Sequence, residues 1–301
     1  MNVFSNEWKV WWRLLRPHTL TASFVPVCIG TALALPHPNF RFSFFLMMLL
    51  ASMLIQCATN MFNEYYDYQR GLDTKDSVGI GGAIVRDGIA PHTVYRIAIA
   101  CLSVAFLLGL YISSQTSWWI IGIGLLCMMV AYLYSGGPYP ISATPFGEIA
   151  AGLCLGVVVI LIAYYIQTGV INLLSVLISI PTAILIGAIL MANNIRDLEE
   201  DTLHGRRTLA ILLGRSKAIT FLAGMFVLAL IWIAVLSFSG ATSFWPLLAF
   251  IGLHKAITAI KKFRNAASRQ AEIEAMIATA QMNTIFGLAL SLGLLFQYCF
   301  S

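Results

Sequence analysis

The stretch SFFLMMLLASMLIQCATNMFNEYYDYQRGLD, residues Ser43–Asp73, joins an apolar segment directly to a polar one. Residues 43–63 are predominantly apolar and carry no charge, and about 20 such residues in a helix cross a bilayer. Carboxylates, amides and tyrosines crowd into Asn63–Asp73, although the whole chain is 59% hydrophobic and only 10% charged. The stretch therefore predicts a membrane-spanning helix with a polar cluster at its end.

Apolar segments of this length recur along the whole chain. A charged fraction of 10% lies far below the roughly 25% of soluble domains, and the linkers leave no room for a soluble domain. Backbone polar groups in lipid must be satisfied within helices. Residues 1–301 are therefore predicted to be one all-α integral membrane domain. Its nine predicted transmembrane helices are 19–35, 43–63, 93–113, 117–135, 147–167, 173–193, 217–238, 242–260 and 278–299.

Three further segments complete the predicted domain. Trp8, Trp11, Trp12 and Leu15 recur at helical spacing, which favours an amphipathic helix over residues 1–16 that lies in the membrane interface. Residues 64–92 and 194–216 are predicted to be loops on the cytoplasmic side, and each contains a run of acids.

The basic residues predict the orientation of the chain in the cell membrane. Of the 18 Lys and Arg residues, only Arg41 falls in a predicted outer segment. The positive-inside rule therefore places the N-terminus in the cytoplasm and, with nine spans, the C-terminus outside. All 13 acids also fall on the inner side. That rule does not require such a distribution of acids, so we attribute it to function.

A second polar cluster, NNIRDLEEDTLHGRR (Asn193–Arg207), repeats the spacing of the first. We call Asn63–Asp73 the first motif and Asn193–Arg207 the second motif. Each has an Asn followed four residues later by an Asp, and each follows an even-numbered predicted span. The repeat predicts two related four-helix units plus one additional helix.

The residue types of both motifs indicate a metal and diphosphate site. Residues at i and i+4 share a helix face, so each motif directs an amide and a carboxylate the same way, with Asp73 or Asp201 following. Mg²⁺ prefers such oxygen ligands together with substrate phosphate. Nearby cations would attract an anionic substrate; they are Arg70, Lys75, Arg196, Arg206 and Arg207. The alternative is that these charges are solvated and neutralise one another.

Both motifs resemble those of the UbiA superfamily of intramembrane aromatic prenyltransferases. Asn60–Asp73 is similar to the first Asp-rich motif of that family, and Asn193–Leu209 is similar to the second. RPHTLTAS (Arg16–Ser23) and YSGGPYPI (Tyr134–Ile141) resemble its menaquinone branch. The chain departs from the family pattern at Glu64, where many relatives carry Asp.

The resemblance implies a fold of nine helices around a central cavity that opens to lipid, with both motifs at its cytoplasmic mouth. It implies a polyprenyl diphosphate donor and a 1,4-dihydroxy-2-naphthoate acceptor, which loses its carboxylate to give demethylmenaquinone. Asp67 and Asp197 would be central to catalysis. The implied ligands of two Mg²⁺ ions that bridge the diphosphate are Asn63, Asp67 and Asp73 for one ion and Asn193, Asp197 and Asp201 for the other.

Other residues are candidates to hold the acceptor or to shield a carbocation. Aromatic faces attract positive charge, which makes Tyr65 and Tyr134 candidates, although an interfacial aromatic belt explains them equally well. Arg16, Thr19 and Arg86 are the polar candidates. The glycine-rich segment 77–88 is interpreted as a lid over the site, with a plain connector as the alternative.

Two other functions are compatible with parts of the pattern. The motifs could be ion sites of a cation transporter, but such proteins usually carry ionisable residues near the bilayer midplane, and here every acid lies near one face. The other is a prenyltransferase with another acceptor, such as 4-hydroxybenzoate, homogentisate or haem; the resemblance of two segments to the menaquinone branch argues against it. The net charge of +5 is explained by topology, so no nucleic-acid partner is expected.

Overall fold

The computed structural model describes residues 3–73 and 81–300, and every regular element within those ranges is helical. The α-helices are α1 Val3–Leu15, α2 Pro17–Ala34, α3 Phe42–Gln69, α4 Pro91–Gln115, α5 Trp119–Ser135, α6 Gly147–Ala151, α7 Val159–Thr168, α8 Leu173–Arg196, α9 Leu198–Leu203, α10 Leu209–Leu213, α11 Arg215–Phe238, α12 Leu253–Arg264 and α13 Arg269–Phe300. A π-helical stretch, Gly152–Val158, joins α6 to α7, and 3₁₀ turns lie at Ile141–Ala143 and Trp245–Gly252.

Each predicted span overlaps a helical segment of the structure. Six helical segments of the described ranges are long and apolar enough to cross a membrane; they are Phe42–Gln69, Pro91–Gln115, Gly147–Thr168, Leu173–Arg196, Arg215–Phe238 and Arg269–Phe300. Trp119–Ser135 is apolar but shorter. The chain is therefore a multi-pass helical membrane protein, and the count of nine spans stays a prediction.

The expected loop boundaries are wrong at both motifs. Helix α3 continues to Gln69 instead of ending near residue 63, because Tyr65 and Tyr66 pack on neighbouring aromatic rings and give this turn an apolar face to bury. The expected loop 194–216 is also largely helical, since it contains α9 and α10 and the start of α11. The motif residues accordingly lie on helix ends.

One compact unit comprises residues Met1–Leu20 and Leu50–Ser142. Its core packs Leu14 of α1, Phe62 of α3 and Val94 of α4 together, all of them fully buried. Trp8 and Trp12 of α1 remain exposed, so α1 has one buried and one apolar exposed face. Such a face suits the membrane interface, and the interfacial position of α1 stays a prediction.

The other compact unit comprises Thr21–Leu49 and Ala143–Ser301. Its helices approach one another at small residues, as is common among membrane helices. A Cβ on Gly156 would overlap the backbone of Ala183 in α8, and a Cβ on Gly287 of α13 would overlap Val25 of α2. The two units do not follow the predicted repeat, because residues 21–49 group with the C-terminal helices. The repeat is therefore visible in the motif spacing and not in this division.

Candidate functional site

The first motif lies on the last turns of α3 and the turn that follows. Asn63 and Asp67 share a helix face, and Asn63 Nδ2 donates to Asp67 Oδ2 at 2.9 Å. The helix ends at Gln69, and Gly71 follows with a φ of +71°, which glycine adopts at little cost. Leu72 N–H then donates to Asp67 O at 2.9 Å. This hydrogen bond turns the chain back toward Asp67 just before Asp73. The prediction that Asn63 and Asp67 share one helix face is confirmed.

Arg16 lies at the junction of α1 and α2 and contacts the first motif. Its Nη1 donates to Asn63 Oδ1 at 2.6 Å. Its φ of +48° is the only positive value among the described residues other than glycine, and such a conformation persists only where its surroundings enforce it. Its Nε is buried and has no hydrogen-bond partner in the described parts of the chain. Arg16 therefore combines backbone strain with a buried donor that has no partner among the described residues.

Thr19 supports the Arg16 backbone. Its hydroxyl donates to Arg16 O at 2.9 Å and accepts from Asn60 Nδ2, also at 2.9 Å. Asn60 Nδ2 in turn donates to Leu15 O at 2.8 Å. These bonds hold the junction on both sides of Arg16. The Thr19 hydroxyl thus forms hydrogen bonds with the Arg16 backbone and with Asn60.

The described part of the glycine-rich segment, residues 81–88, is a docked turn. Arg86 N–H and Asp87 N–H both donate to Gly82 O, at 2.9 and 3.1 Å. Ala83 and Ile84 are buried in the core of this unit, while the Arg86 side chain donates to Gly81 O. Asp87 forms an ion pair with Arg13, with oxygen to nitrogen distances of 2.7 and 2.8 Å. Residues 77–80 of the expected lid lie outside the described residues.

The tyrosines of the first motif belong to an aromatic cluster. Tyr65 packs on Tyr95 with 4.9 Å between ring centroids, and the Tyr66 and Tyr132 hydroxyls are 2.6 Å apart. Arg70 lies over the Tyr66 ring at 5.4 Å and donates to Gly137 O at 2.9 Å. Packing of one ring on another is enough to account for Tyr65 and Tyr66. Tyr134 is half-buried on the last turn of α5.

The second motif continues the helical path of α8 through a short break at residue 197. Asp197 N–H donates to Asn193 O at 3.0 Å, and Asp201 N–H donates to Asp197 O at 2.8 Å. The three side chains therefore recur at helical spacing. Asn193 Oδ1 is buried and has no partner among the residues that the structure describes. Burial of this oxygen without a hydrogen bond costs free energy unless a ligand or an ion binds it.

Arginines engage the carboxylates of the second motif. Arg196 binds Asp197 with two hydrogen bonds of 2.7 and 2.5 Å, and Arg206 Nη1 donates to Asp201 Oδ1 at 3.1 Å. Arg269, at the start of α13, lies 3.6 Å from Asp197 and binds Glu200. Arg269 is not among the residues predicted for the site, because no spacing rule relates residues of α13 to those of α8.

A second contact that sequence analysis did not identify supports the same helix. Glu148, at the start of α6, is 5% exposed, and its Oε1 accepts from Asn194 Nδ2 at 2.8 Å. Asn194 directly follows the candidate ligand Asn193. The only sequence signal was an acid at the inner end of a predicted apolar span, which did not distinguish Glu148 from the other acids.

Two predicted diphosphate ligands remain, Arg207 and Lys75. The Arg207 side chain is exposed, while its backbone N–H donates to Ala143 O at 2.9 Å. Lys75, a predicted diphosphate ligand, lies outside the described residues. Diphosphate binding by these two side chains stays a prediction.

The donor set of both motifs fits a hard divalent cation. Mg²⁺ takes oxygen ligands and needs only one or two carboxylates when substrate phosphate completes its shell, and the candidate ligands of each motif are one amide oxygen and two carboxylates. Within residues 3–73 and 81–300, no three His, Cys, Asp or Glu side chains form a metal-binding group by themselves. The amide oxygens of Asn63 and Asn193 are thus part of the fit, and the unpartnered Asn193 Oδ1 is the observation that favours it.

Comparison with known proteins gives one consistent result. The sequence profile of the UbiA prenyltransferase family matches residues 23–293. A 1,4-dihydroxy-2-naphthoate octaprenyltransferase of Bacillus subtilis is 52% identical over 290 residues, which are 96% of this chain and 93% of that protein. The protein of the same name from Haemophilus influenzae is 27% identical and covers 97% of this chain and 98% of its own length.

Solved structures agree in fold. The apo structure of a UbiA homolog from Aeropyrum pernix superposes with a TM-score of 0.65 at 17% identity and covers 92% of this chain and 96% of that one. A UbiA homolog from Archaeoglobus fulgidus, bound to GPP and Mg²⁺, gives a TM-score of 0.60 at 17% identity over 93% of this chain and 99% of that one. At such identities the likeness concerns the helical fold alone.

Proposed function

The chain belongs to the UbiA prenyltransferase family, and from that premise we propose that it transfers a polyprenyl group to 1,4-dihydroxy-2-naphthoate in menaquinone synthesis. The observation that carries the proposal is the 52% identity, over nearly the full length of both chains, to a 1,4-dihydroxy-2-naphthoate octaprenyltransferase. The two motifs support it, because each arranges an amide and carboxylates as a cation and diphosphate site requires.

The reaction needs no oxidant. The C–O bond between the prenyl group and diphosphate breaks, and a C–C bond forms at the ring carbon that carries the carboxylate. That carboxylate leaves as carbon dioxide, and its electron pair restores the aromatic ring. The products are diphosphate, carbon dioxide and the hydroquinone form of demethylmenaquinone, so atoms and charges balance.

Divalent metal is part of the proposal. In the first motif Asn63, Asp67 and Asp73 would hold Mg²⁺, and in the second motif Asn193, Asp197 and Asp201 would do so. Bound Mg²⁺ would stabilise the negative charge that develops on the departing diphosphate. The structure of a family member from Archaeoglobus fulgidus with GPP and Mg²⁺ supports divalent metal use in this fold.

The chain's own residues would perform the other tasks. Arg16 and Arg70 would attract anionic groups of the substrates, and the arginines of the second motif would exchange their carboxylate partners for phosphate oxygens. The apolar helices would keep water from an allylic carbocation until the acceptor ring attacks. Tyr65 and Tyr134 would shield that cation.

The first experiment is a direct assay. Purified protein with Mg²⁺, a long-chain prenyl diphosphate and 1,4-dihydroxy-2-naphthoate should give a prenylated and decarboxylated product by mass spectrometry. A parallel reaction with 4-hydroxybenzoate is the control for acceptor choice. Product from 4-hydroxybenzoate alone would contradict the naphthoate assignment and leave prenyl transfer intact.

A second experiment tests the metal. Excess chelator should abolish turnover, and added Mg²⁺ should restore it, because the carboxylates of the motifs would otherwise repel the diphosphate. Full activity in chelator would contradict metal dependence.

A further inference from the structure

The carboxylate of Glu64 does not face solvent, although Glu64 directly follows the candidate metal ligand Asn63. Glu64 is only 1% exposed to solvent. Oε2 accepts from Gly82 N–H at 3.1 Å, and Oε1 accepts from Ile84 N–H at 3.0 Å. Both oxygens are therefore engaged by the backbone of the 81–84 segment. Hydrogen bonds to an ionised acceptor are roughly twice as strong as neutral ones.

The anchored segment passes beside Arg16 and leaves no space for a side chain at Gly81. A Cβ built on Gly81 would overlap Glu64 Oε2 and would lie 3.2 Å from Arg16 Nη2, so the glycine backbone lies against both groups. Arg16 Nη1 in turn donates to Asn63 Oδ1 at 2.6 Å. Glu64, Gly81, the Arg16 guanidinium and Asn63 thus lie next to one another in this order.

We propose that Glu64 is a positioning residue that holds the Gly81–Ile84 segment against Arg16, and that it is not a ligand of metal or substrate. The anchored backbone limits the directions that the Arg16 guanidinium can take, which keeps it beside Asn63 and aimed at an anionic group of a substrate. That group is the diphosphate of the donor or the carboxylate of the acceptor. The effect expected on kinetics rests on the proposed function. The anchor, meaning the hydrogen bonds from Gly82 and Ile84 to Glu64, does not depend on it.

The geometry requires a carboxylate of this length. Two N–H groups converge on two acceptor oxygens, and Glu64→Gln would replace one acceptor with an amide NH₂ that faces an N–H donor. Glu64→Asp would retain the charge but withdraw the carboxylate by one methylene. Both substitutions should therefore release the segment.

Hydrogen–deuterium exchange resolved to single amides tests the anchor without any substrate. In Glu64→Gln the Gly82 and Ile84 amides should exchange at least about 10-fold faster than in the wild type, since local opening controls their exchange. Glu199→Gln is the matched control, because it makes the same chemical change at an exposed acid, and it should leave both amides unchanged. Unchanged exchange in Glu64→Gln would overturn the anchor, as would an equal acceleration throughout α3. If Glu64→Gln does not fold, Glu64→Asp is measured against the same two outcomes.

Kinetics separate a positioning role from a structural one. In Glu64→Gln the KM for either prenyl diphosphate or the naphthoate should rise by about 10-fold with kcat within about twofold, because the loss concerns binding of an anion. The substrate whose KM rises identifies the group that Arg16 faces. A lower kcat with both KM values unchanged would indicate only a loss of folded enzyme and overturn the proposal. A large increase in the Mg²⁺ concentration needed for half-maximal activity would instead make Glu64 a ligand. If the wild type transfers no prenyl group, the proposed function fails, while the exchange result stands by itself.

Discussion

Asp67 and Asp197 occupy equivalent positions in the two motifs, but the described contacts of their side chains differ. Asp67 accepts from the neutral amide of Asn63, whereas Asp197 is bound by Arg196 and approached by Arg269. The second motif is therefore already charge-compensated, and a cation there must compete with two guanidinium groups. The spacing is repeated, but these described contacts of the two aspartates differ.

The proposed catalytic role of Asp67 and Asp197 is tested by replacing each carboxylate with an amide of the same shape. Asp67→Asn and Asp197→Asn should each lower kcat by at least about 100-fold, the scale of removing one group that stabilises developing charge. Residues that act on one chemical step are strongly non-additive, so the double variant should be scarcely worse than either single one. Turnover of well-folded protein at saturating Mg²⁺ is the measurement.

Glu199→Gln is the control for both acids. Glu199 is exposed and lies two positions after Asp197, so its replacement should change turnover little. Equal damage from Glu199→Gln, or effects of the two Asp substitutions that simply multiply, would contradict the proposal that Asp67 and Asp197 are equivalent ligands of one diphosphate.

Arg269 offers a test of a contact that spacing did not indicate. Arg269→Ala should lower kcat/KM by about 10-fold, because Asp197 and Glu200 lose a charged partner that orients them. Lys262→Ala is the matched control, since it removes the basic partner of the more exposed acid Glu274. Exposed ion pairs contribute little, and kcat/KM of this control should be unchanged. Equal values for both variants would remove Arg269 from the site.

At the scale of helices, contacts within the Thr21–Leu49 and Ala143–Ser301 unit occur between the expected helix ends. The backbone of Arg41, before α3, exchanges two hydrogen bonds with Gln167 at the end of α7. Glu148 at the start of α6 contacts Asn194 at the end of α8. A chain that crosses back and forth brings these ends together, so the contacts support the predicted alternation of helix directions within this unit.

The close approach of the π-helical stretch to α8 should depend on the absence of a side chain at Gly156. Gly156→Ala should destabilise the protein by about 1–3 kcal/mol, the usual cost of forcing an atom into a packed core, because the new Cβ would overlap the Ala183 backbone. Thermal unfolding in detergent should show a lower Tm.

The control for this packing prediction is Gly124→Ala in α5, where a new Cβ would meet nothing within 4 Å in the described structure. Alanine is the better helix former, so Tm should be unchanged or slightly higher. A similar fall for both variants would mean that helix propensity, and not the contact with Ala183, decides the outcome.

At the scale of the whole molecule, orientation in the cell membrane is predicted from the basic residues. A cysteine at Asn39, close to Arg41, should react with a membrane-impermeant reagent added outside the cell, and a cysteine at Thr202 should not. Both positions are exposed in the structure, so accessibility depends on the side of the membrane. The experiment needs a background without the six native cysteines, because Cys299 is also exposed. The reverse labelling pattern would place the motifs outside.

The amino-acid sequence by itself determined the helical membrane class, the two motifs and the face shared by Asn63 and Asp67. These properties depend on hydrophobic length and on spacing within one segment, which the sequence displays directly. It did not reveal that α3 continues to Gln69, since that extension depends on aromatic partners from α4 and α5.

Only the tertiary structure decided which distant residues meet at each motif. Glu64 binds amides 18 and 20 residues away, and Arg269 reaches an acid 69 residues away. Such contacts follow from how helices pack, and no periodicity in the chain encodes them. A buried carboxylate must find partners wherever the fold supplies them, and for Glu64 the fold supplies the backbone of Gly81–Ile84.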